Sequence, residues 1–505
     1  MLDILFPEHL FGRRKSYDLG VPSSQKPPPF RELNFGSVDA IEEAIDSPEL
    51  LTKGFFDYCS AAYGITAGET WLLLGPKGSG KSAVLQHLRL DWRDRWAKFF
   101  TYWNLQDFPV ADVSRIQTGE SSGSARSQSA WQLILLLKVI ESLREDNGLK
   151  TSRAFEAIVK DLGQAGVLGQ DLKTRVIRWT KVSAGIKLPG VELGLDVEND
   201  EVGTVQATTI LRQVLSEVST ESQHVVALDG LDQFFFEIEA EWNSLAGLAH
   251  AVASVNRLFR ESRQRISVVA AIRSDIFDVL PSPESNKLKS HTVRLDWSPN
   301  GIGRGNLLWE LVSSKARVGR PELQGSIIPV YLSEIIEIGP YVDVPEYLLD
   351  NTRLLPRDLI ALLNVLKEIH GGRSPVKQDE VRDCVNQYAQ EYFVGEIFNN
   401  LAGLLPGDAS RKVPAFRDAL QSLPTRFFDF EDMKTELDGV LGPDEIRMLL
   451  KQLFEIGGIG VRNYSGAHTE YTDFVFRRVT GAGFTTRHGF LLHNALVVAW
   501  NRPWR

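Results

Sequence analysis

The sequence predicts an α/β fold in which helices cover both faces of a parallel sheet, giving a three-layer sandwich. Three short apolar runs have the length and composition of buried parallel strands: residues 70–74 (TWLLL), 223–229 (QHVVALD) and 266–272 (ISVVAAI). Helical patterns over residues 204–220 and 241–264 separate the later runs. A glycine-rich turn follows the first run at once, as expected where a strand passes into a helix.

Two further strands are predicted at residues 98–105 (KFFTYWNL) and 291–296 (HTVRLD). The segment 116–130 (IQTGESSGSARSQSA) is poor in apolar residues and rich in serine and glycine, which predicts a surface loop. A helix should follow over about 130–145. We interpret residues 110–203 as an insertion into the sheet domain.

The remaining organisation follows from changes in pattern, since 505 residues are too many for a single core. Four prolines in the segment GVPSSQKPPPF indicate an extended arm near the N-terminus. After residue 300 the strand signals become sparse, and helical patterns at 303–316, 327–336, 356–370 and 376–399 predict an α-helical lid. The expected domains are an arm (1–35), a core (36–300), the lid (301–402) and a C-terminal domain (403–505).

The C-terminal domain is expected to resemble a winged helix. Three short helical patterns, at 410–422, 430–440 and 444–456, precede two strand patterns at 458–463 and 470–478. Three helices followed by a two-stranded wing is the element order of that fold.

Composition points to a globular protein of the cytoplasm that has no membrane anchor. Hydrophobic residues make up 43% and charged residues 24%, so most of the chain can fold around apolar cores. Cys59 and Cys384 lie far apart and outside any Cys/His cluster, which argues against a disulfide framework or a zinc site. The net charge of −9 argues against an overall electrostatic attraction to nucleic acid.

Residues 75–82 read GPKGSGKS and match the pattern G-x-x-x-x-G-K-[ST] between a predicted strand and a predicted helix. Glycines let such a loop turn its amides toward phosphate oxygens, and the helix N-terminus adds positive potential. Lys81 would reach the β- and γ-phosphates of ATP, and the Ser82 hydroxyl would bind Mg²⁺. The predicted nucleotide-binding residues are Gly75, Pro76, Lys77, Gly78, Ser79, Gly80, Lys81, Ser82 and Ala83.

Acids at the end of the second apolar run complete the predicted P-loop NTPase site. Asp229 ends HVVALD and is the candidate that organises the magnesium ion together with Ser82. Asp232, three residues later, is the candidate that orients or activates the attacking water, and Glu237 is a weaker alternative. Acids at such positions also occur as ordinary helix N-caps.

Two arginines are further candidates for the catalytic site. Arg273 follows the third apolar run and could neutralise the γ-phosphate, or it could form a structural ion pair with Asp275. Arg357 follows Pro356 at the predicted start of a lid helix, from where it could reach the nucleotide when the lid is closed. Its alternative is a surface ion pair with Asp358 or another acid.

The motifs GPKGSGKS, VVALDGLDQ, AAIRSDIF and PRDLIALLN together resemble the STAND and KAP branches of bacterial P-loop ATPases. The resemblance covers roughly residues 36–400. It implies that Lys81 and Ser82 bind phosphate and Mg²⁺, that Asp229 organises the metal and that Arg273 senses the nucleotide. It also implies an ATP-controlled switch in defence or signalling, acting as a homo-oligomer or through an effector protein. Lys81 and Asp229 are 148 positions apart, more than a compact core of that type needs.

Two alternative functions stay open at this point. The chain could be a DNA-associated ATPase, because residues 446–505 carry eight Arg or Lys against three acids and are locally basic. In STAND proteins, however, the winged helix often packs against the nucleotide core. A small-molecule kinase is a distant third possibility, since no acceptor-binding motif is visible. The sequence does not distinguish ATP from GTP.

Overall fold

We describe the fold from a computed structural model of the chain. The structure describes residues 26–106, 113, 123–164, 166–168, 204–231, 239–278, 288–403, 411–465, 469–477 and 483–503. Asp232 and Glu237 lie outside the described residues, as does most of the segment between 165 and 203.

A five-stranded, fully parallel sheet forms the centre of the molecule, as the sequence predicts. Its strands are β1 (Leu72–Gly75), β2 (Lys98–Asn104), β3 (Gln223–Asp229), β4 (Ile266–Arg273) and β5 (Thr292–Arg294). They lie in the order β2-β3-β4-β1-β5, so β4 separates β1 from β3. Every residue of β1, β3 and β4 is buried, because helices cover both faces.

Alternate residues of each strand enter two different cores. Leu73, Val225 and Val269 face a core shared with the helical segments beyond residue 300, whereas Leu72, Val226 and Val268 face a second core. The helices between residues 40 and 278 are α1 (Ala40–Asp46), α2 (Pro48–Thr52), α3 (Ala61–Thr66), α4 (Lys81–Trp92), α5 (Gly123–Arg144), α6 (Arg153–Gln164), α7 (Thr204–Glu217), α8 (Glu239–Glu261) and α9 (Ser274–Phe277). The predicted three-layer arrangement is confirmed.

The loop predicted at 116–130 is wrong over residues 123–130, which form the start of α5. A Cβ added at Gly247 of α8 would lie 2.7 Å from both the Gln128 nitrogen and the Ser127 Cβ, so the two helices pack at close range. Trp131 Nε1 also donates to Ser244 Oγ across this contact, at 3.0 Å. Small serine side chains favour this approach, and tertiary packing therefore overrides their weak helix propensity.

The segment beyond residue 300 is mainly helical but contains a hairpin. Its helices are α10 (Leu308–Ala316), α11 (Ile328–Tyr331), α12 (Val344–Asp350), α13 (Pro356–Ile369), α14 (Gln378–Tyr388) and α15 (Val394–Gly403), with a π-helical turn over Ala389–Phe393. The helix predicted over 327–336 is wrong after Tyr331, because β6 (Ile335–Ile338) pairs with β7 (Tyr341–Asp343). Exposed and buried residues alternate along β6, which is the two-residue period of a strand.

The described part of the N-terminal segment, residues 26–35, packs against these helices. Phe30 is fully buried, and its nitrogen donates to the Gly372 oxygen at 2.7 Å. Tyr331 Oη donates to the Pro28 oxygen at 2.6 Å. The described part of the predicted arm is therefore packed against the helical segment.

The C-terminal segment has the three predicted helices, but a short strand separates the first two, and the other strands follow the third. The elements are α16 (Val413–Ser422), β8 (Phe427–Phe428), α17 (Phe430–Glu436), α18 (Pro443–Glu455), β9 (Ile459–Ser465), β10 (Thr469–Asp473), β11 (Phe490–Leu492) and α19 (Asn494–Ala499). The strands form one sheet in the order β10-β9-β11-β8. The second strand ends at Asp473, earlier than predicted, and a short 3₁₀ turn follows. Among the residues described, no helix is long and apolar enough to cross a bilayer.

A buried polar cluster lies at the amino end of β3. Ser142 Oγ lies 3.0 Å from His224 Nδ1, and Asp146 Oδ2 lies 3.4 Å from His224 Nε2. Burial lowers the pKa of His224 despite the neighbouring carboxylate. Hydrogen bonds from Thr220 and the Gly148 amide outweigh burial at Asp146 and lower the pKa of that carboxyl.

We expect the stability of the chain to fall in acid because of His224. The unfolded chain takes up the proton more readily than the folded chain, so the contribution of neutral His224 is lost as the pH falls below about 6.5. Melting temperatures at about pH 7 and about pH 5 should differ less in His224→Gln than in the wild type. His488→Gln, which changes an exposed histidine, is the control. An unchanged pH dependence in His224→Gln would contradict the assignment.

Candidate functional site

The loop between β1 and α4 has the backbone conformation that its glycines permit. Gly78 has φ +87° and Gly80 has φ +98°, both in the left-handed region that other residues enter at a cost. Gly80 is the N-cap of α4, so the amides of the first helical turn are not paired by the helix itself. The observed turn agrees with the sequence pattern, and helix N-termini of this kind attract anions.

Lys81 lies inside this loop and is only 5% exposed. Its ammonium group donates to the Gly75 oxygen at 3.0 Å and to the Pro76 oxygen at 3.1 Å. A buried cation beside the helix N-terminus makes the loop strongly attractive to phosphate.

Arg273 lies beside the loop, as predicted, because it pairs in register with Gly75 across β4 and β1. Its guanidinium binds Asp275 through two hydrogen bonds, of 3.1 Å from Nε and 2.5 Å from Nη2. The ion pair that the sequence left open is therefore present.

Asp229 ends β3 at the same edge of the sheet, two strands from Gly75, which corresponds to about 10 Å. Tyr102 Oη donates to its Oδ2 at 2.8 Å and the Gly230 nitrogen donates to its Oδ1 at 2.9 Å. Burial and the charge of Asp229 both raise the pKa of Tyr102, so the phenol stays protonated as a donor. These two bonds fix the orientation of the carboxylate.

Ser82 lies in the first turn of α4. A hydroxyl and a carboxylate are both hard oxygen donors of the kind Mg²⁺ binds, so Ser82 and Asp229 suit that ion. Within the described ranges, no group of three or more His, Cys, Asp or Glu side chains could hold a metal ion by itself.

Arg357 contacts the loop through its backbone and the stem of its side chain. Its nitrogen donates to the Gly78 oxygen at 3.3 Å, and a Cβ added at Gly78 would lie 3.1 Å from the Arg357 Cβ. The guanidinium donates to the Val38 oxygen at 3.0 Å and lies 3.7 Å from Glu396 Oε1. The alternative ion pair is therefore present, but with Glu396 instead of Asp358, which binds Arg353.

The loop separates two cavities. One, of about 130 Å³, is lined by Val38, Ile41, Gly78, Lys81, Ser82, Ala83, Pro356, Arg357 and Ile360, among others. The other, of about 270 Å³, is lined by Gly75, Pro76, Lys77, Arg273, Asp275, Trp297, Arg353, Asn400, Glu455 and Phe476, among others. The first is bordered by the helix end of the loop, by apolar side chains, and by the charged side chains of Asp39, Glu43 and Lys315. The second joins the core to both later segments of the chain.

Sequence reasoning missed several residues that contact the loop. Lys77 Nζ donates to Asn400 Oδ1 at 2.6 Å, and Trp297 Nε1 donates to the Ser79 oxygen at 3.0 Å. Glu396 accepts from Asn400 Nδ2 at 2.9 Å. These partners lie more than 200 positions from the loop, and no local pattern marks them.

No known family model and no curated protein matches the sequence. Among solved structures, the chain is similar to the crystal structure of Cdc6p from Pyrobaculum aerophilum, with 13% identity, a TM-score of 0.32, and coverage of 86% of this chain and 93% of that chain. An overlap of that quality carries no argument about activity. The parallel sheet and the GPKGSGKS loop between β1 and α4 nevertheless place the core among P-loop NTPase folds.

We expect Gly78→Ala to destabilise the contact between the loop and α13 by more than the backbone strain of alanine at a left-handed position. Alanine at a left-handed position destabilises by about 1–2 kcal/mol, and at Gly78 the new methyl group also presses on Arg357. Gly68→Ala is the matched control, since Gly68 has φ +72° and a Cβ there meets nothing within 4 Å. Faster amide hydrogen exchange at the start of α13 should follow Gly78→Ala only. Equal exchange in both variants would argue against the contact.

Proposed function

We propose that the chain binds ATP with Mg²⁺ at the loop 75–83 and hydrolyses it as a nucleotide-controlled switch. The observation that carries this proposal is the loop itself. Left-handed glycines, a helix N-terminus and the buried Lys81 combine there in one anion site. A triphosphate is the ligand whose charge and length suit this combination.

The two cavities support an orientation for the nucleotide. The smaller one has apolar walls at Val38, Pro356 and Ile360 next to the amide end of the loop, which suits a base and ribose. The γ-phosphate would then lie past Gly78 toward Gly75, where Arg273 and the end of the Arg357 side chain could both approach it. There the Arg273 guanidinium could exchange Asp275 for a phosphate oxygen.

Ser82 and Asp229 would hold Mg²⁺, which supplies charge neutralisation at the β- and γ-phosphates. Tyr102 and the Gly230 amide orient the Asp229 carboxylate toward that role. Asp232 remains our proposed residue for orienting the attacking water, three residues beyond the end of β3.

We further propose a switch of STAND or KAP type that acts as an oligomer or through an effector protein in bacterial defence or signalling. The support is that the helical segment contacts the loop and that the C-terminal segment lines the cavity beside it. Asn400 binds Lys77, Arg357 binds Gly78, and Glu455 lines the larger cavity beside Gly75. A change at the phosphates would therefore alter the contacts of the helical segment and the surroundings of Glu455.

The contacts of the C-terminal segment favour a packing role over DNA binding. His493 Nε2 lies 3.2 Å from the Thr352 oxygen, and Asn494 Nδ2 donates to Asp350 Oδ2 at 2.7 Å. Both pairs are buried against the helical segment. These contacts support a C-terminal segment that moves together with the helical segment when the bound nucleotide changes.

Lys81→Ala should abolish tight ATP binding, because it removes the cation that lies within the loop. Isothermal titration calorimetry of the full chain with ATP and Mg²⁺ measures the loss. Lys53→Ala, at an exposed lysine of the same core, should bind like the wild type. Retained affinity in Lys81→Ala would show that the loop is not the site.

Asp229→Asn should slow hydrolysis by about 100-fold or more while retaining ATP binding, since loss of one preorganised charge acts mainly on the transition state. Phosphate release under saturating ATP measures the rate. Tyr102→Phe should cause a smaller reduction, because the carboxylate stays but loses one donor. Unchanged turnover in Asp229→Asn would remove Asp229 from the proposed mechanism.

A further inference from the structure

A polar network joins the start of the loop to helix α15. Lys77 Nζ donates to Asn400 Oδ1 at 2.6 Å, and Asn400 Nδ2 donates to Glu396 Oε1 at 2.9 Å. The two α15 residues are four positions apart and therefore share one face of the helix. That face is turned toward the loop.

The same carboxylate lies between two arginines. Glu396 Oε1 is 3.7 Å from Arg357 Nη1 and 3.7 Å from Arg353 Nη2. Arg353 is only 4% exposed and is neutralised by Asp358, through bonds of 2.8 and 2.6 Å. Glu396 is thus placed to act mainly as the counter-anion of Arg357.

Arg357 also covers the loop. Its nitrogen binds the Gly78 oxygen, and its side chain crosses the face of Gly78. Lys77, Lys81 and Arg357 are therefore grouped around one loop, and Glu396 contacts this group from α15. These are the cations that an incoming triphosphate would attract.

We propose that Glu396 competes with the outer phosphate of bound ATP for Arg357, and so sets the affinity of the site for triphosphate over diphosphate. This inference rests on the proposed function. The carboxylate and the γ-phosphate are both anions directed at the same guanidinium, and they repel each other in a partly buried site. Glu396 is a positioning residue, because it acts through Arg357.

Two substitutions of nearly unchanged shape test the proposal with opposite signs. Glu396→Gln removes the anion and keeps an acceptor for Asn400, so ATP should bind about tenfold more tightly, or about 1.4 kcal/mol. Asn400→Asp places a new anion against Lys77 and should weaken ATP binding by a similar factor. ADP affinity should change less in both variants, since ADP lacks the outer phosphate.

The measurement is calorimetry of the full chain with ATP and with ADP, with melting temperature as the folding check. Glu391→Gln is the matched control, because Glu391 is exposed one turn earlier and bonds only with Gln387 among the contacts described. In an Arg357→Ala background, Glu396→Gln should have no further effect. If Glu396 had only a structural role, Glu396→Gln would change ATP and ADP affinity equally. The change would then be the same in the wild type and in the Arg357→Ala variant.

The inference is overturned if Glu396→Gln binds ATP no more tightly than the wild type while Glu391→Gln binds normally. That result would leave the proposed function intact. Absence of ATP binding by the wild type would instead refute the proposed function. If Glu396→Gln does not fold, Glu396→Asp decides, because its shorter side chain draws the carboxylate away from Arg357, and ATP affinity that stays the same or falls there overturns the inference.

Discussion

The loop at residues 75–80 has to turn its amides inward to attract an anion, and this leaves its carbonyl oxygens in need of other donors. The fold supplies them from three different places. Lys81 donates to the Gly75 and Pro76 oxygens, the backbone of Arg357 to Gly78, and the Trp297 indole to Ser79. Because buried carbonyls need partners, the helical segment is docked on the loop by the same geometry that makes the loop an anion site.

The docked helices carry their own strained elements. Leu354 has φ +54°, a conformation that destabilises a non-glycine residue by about 1 kcal/mol or more. The Arg353 backbone and guanidinium both bind Asp358, and this buried pair holds the turn. A π-helical turn over Ala389–Phe393 precedes α15. One extra residue there rotates the following helix by about 100°, which decides the face on which Glu396 and Asn400 lie.

The parts of the fold that could be predicted are those fixed by local pattern. Apolar runs predicted the central strands, since parallel strands are buried on both faces, and the GPKGSGKS spacing located the loop. Residues 123–130 and the hairpin at Ile335 were mispredicted, because their structure depends on packing partners elsewhere. The contacts of Asn400 and Trp297 had no sequence signal for the same reason. Hydrogen bonds between residues that lie hundreds of positions apart depend on the folded structure and leave no local sequence pattern.

Arg353 connects the surroundings of the glycine-rich loop to the C-terminal segment. Its guanidinium lies 5.6 Å from the centre of the Phe393 ring, which stacks on His493 at 4.5 Å. A Cβ added at Gly457 would lie 3.3 Å from the Arg353 side chain and 2.9 Å from Phe476. Interiors packed this closely shift between discrete arrangements more readily than they deform. Arg353 also lies beside Glu396. A change in charge around the loop that displaced Arg353 would therefore alter its contacts with Phe393 and, through the Phe393 ring, with His493.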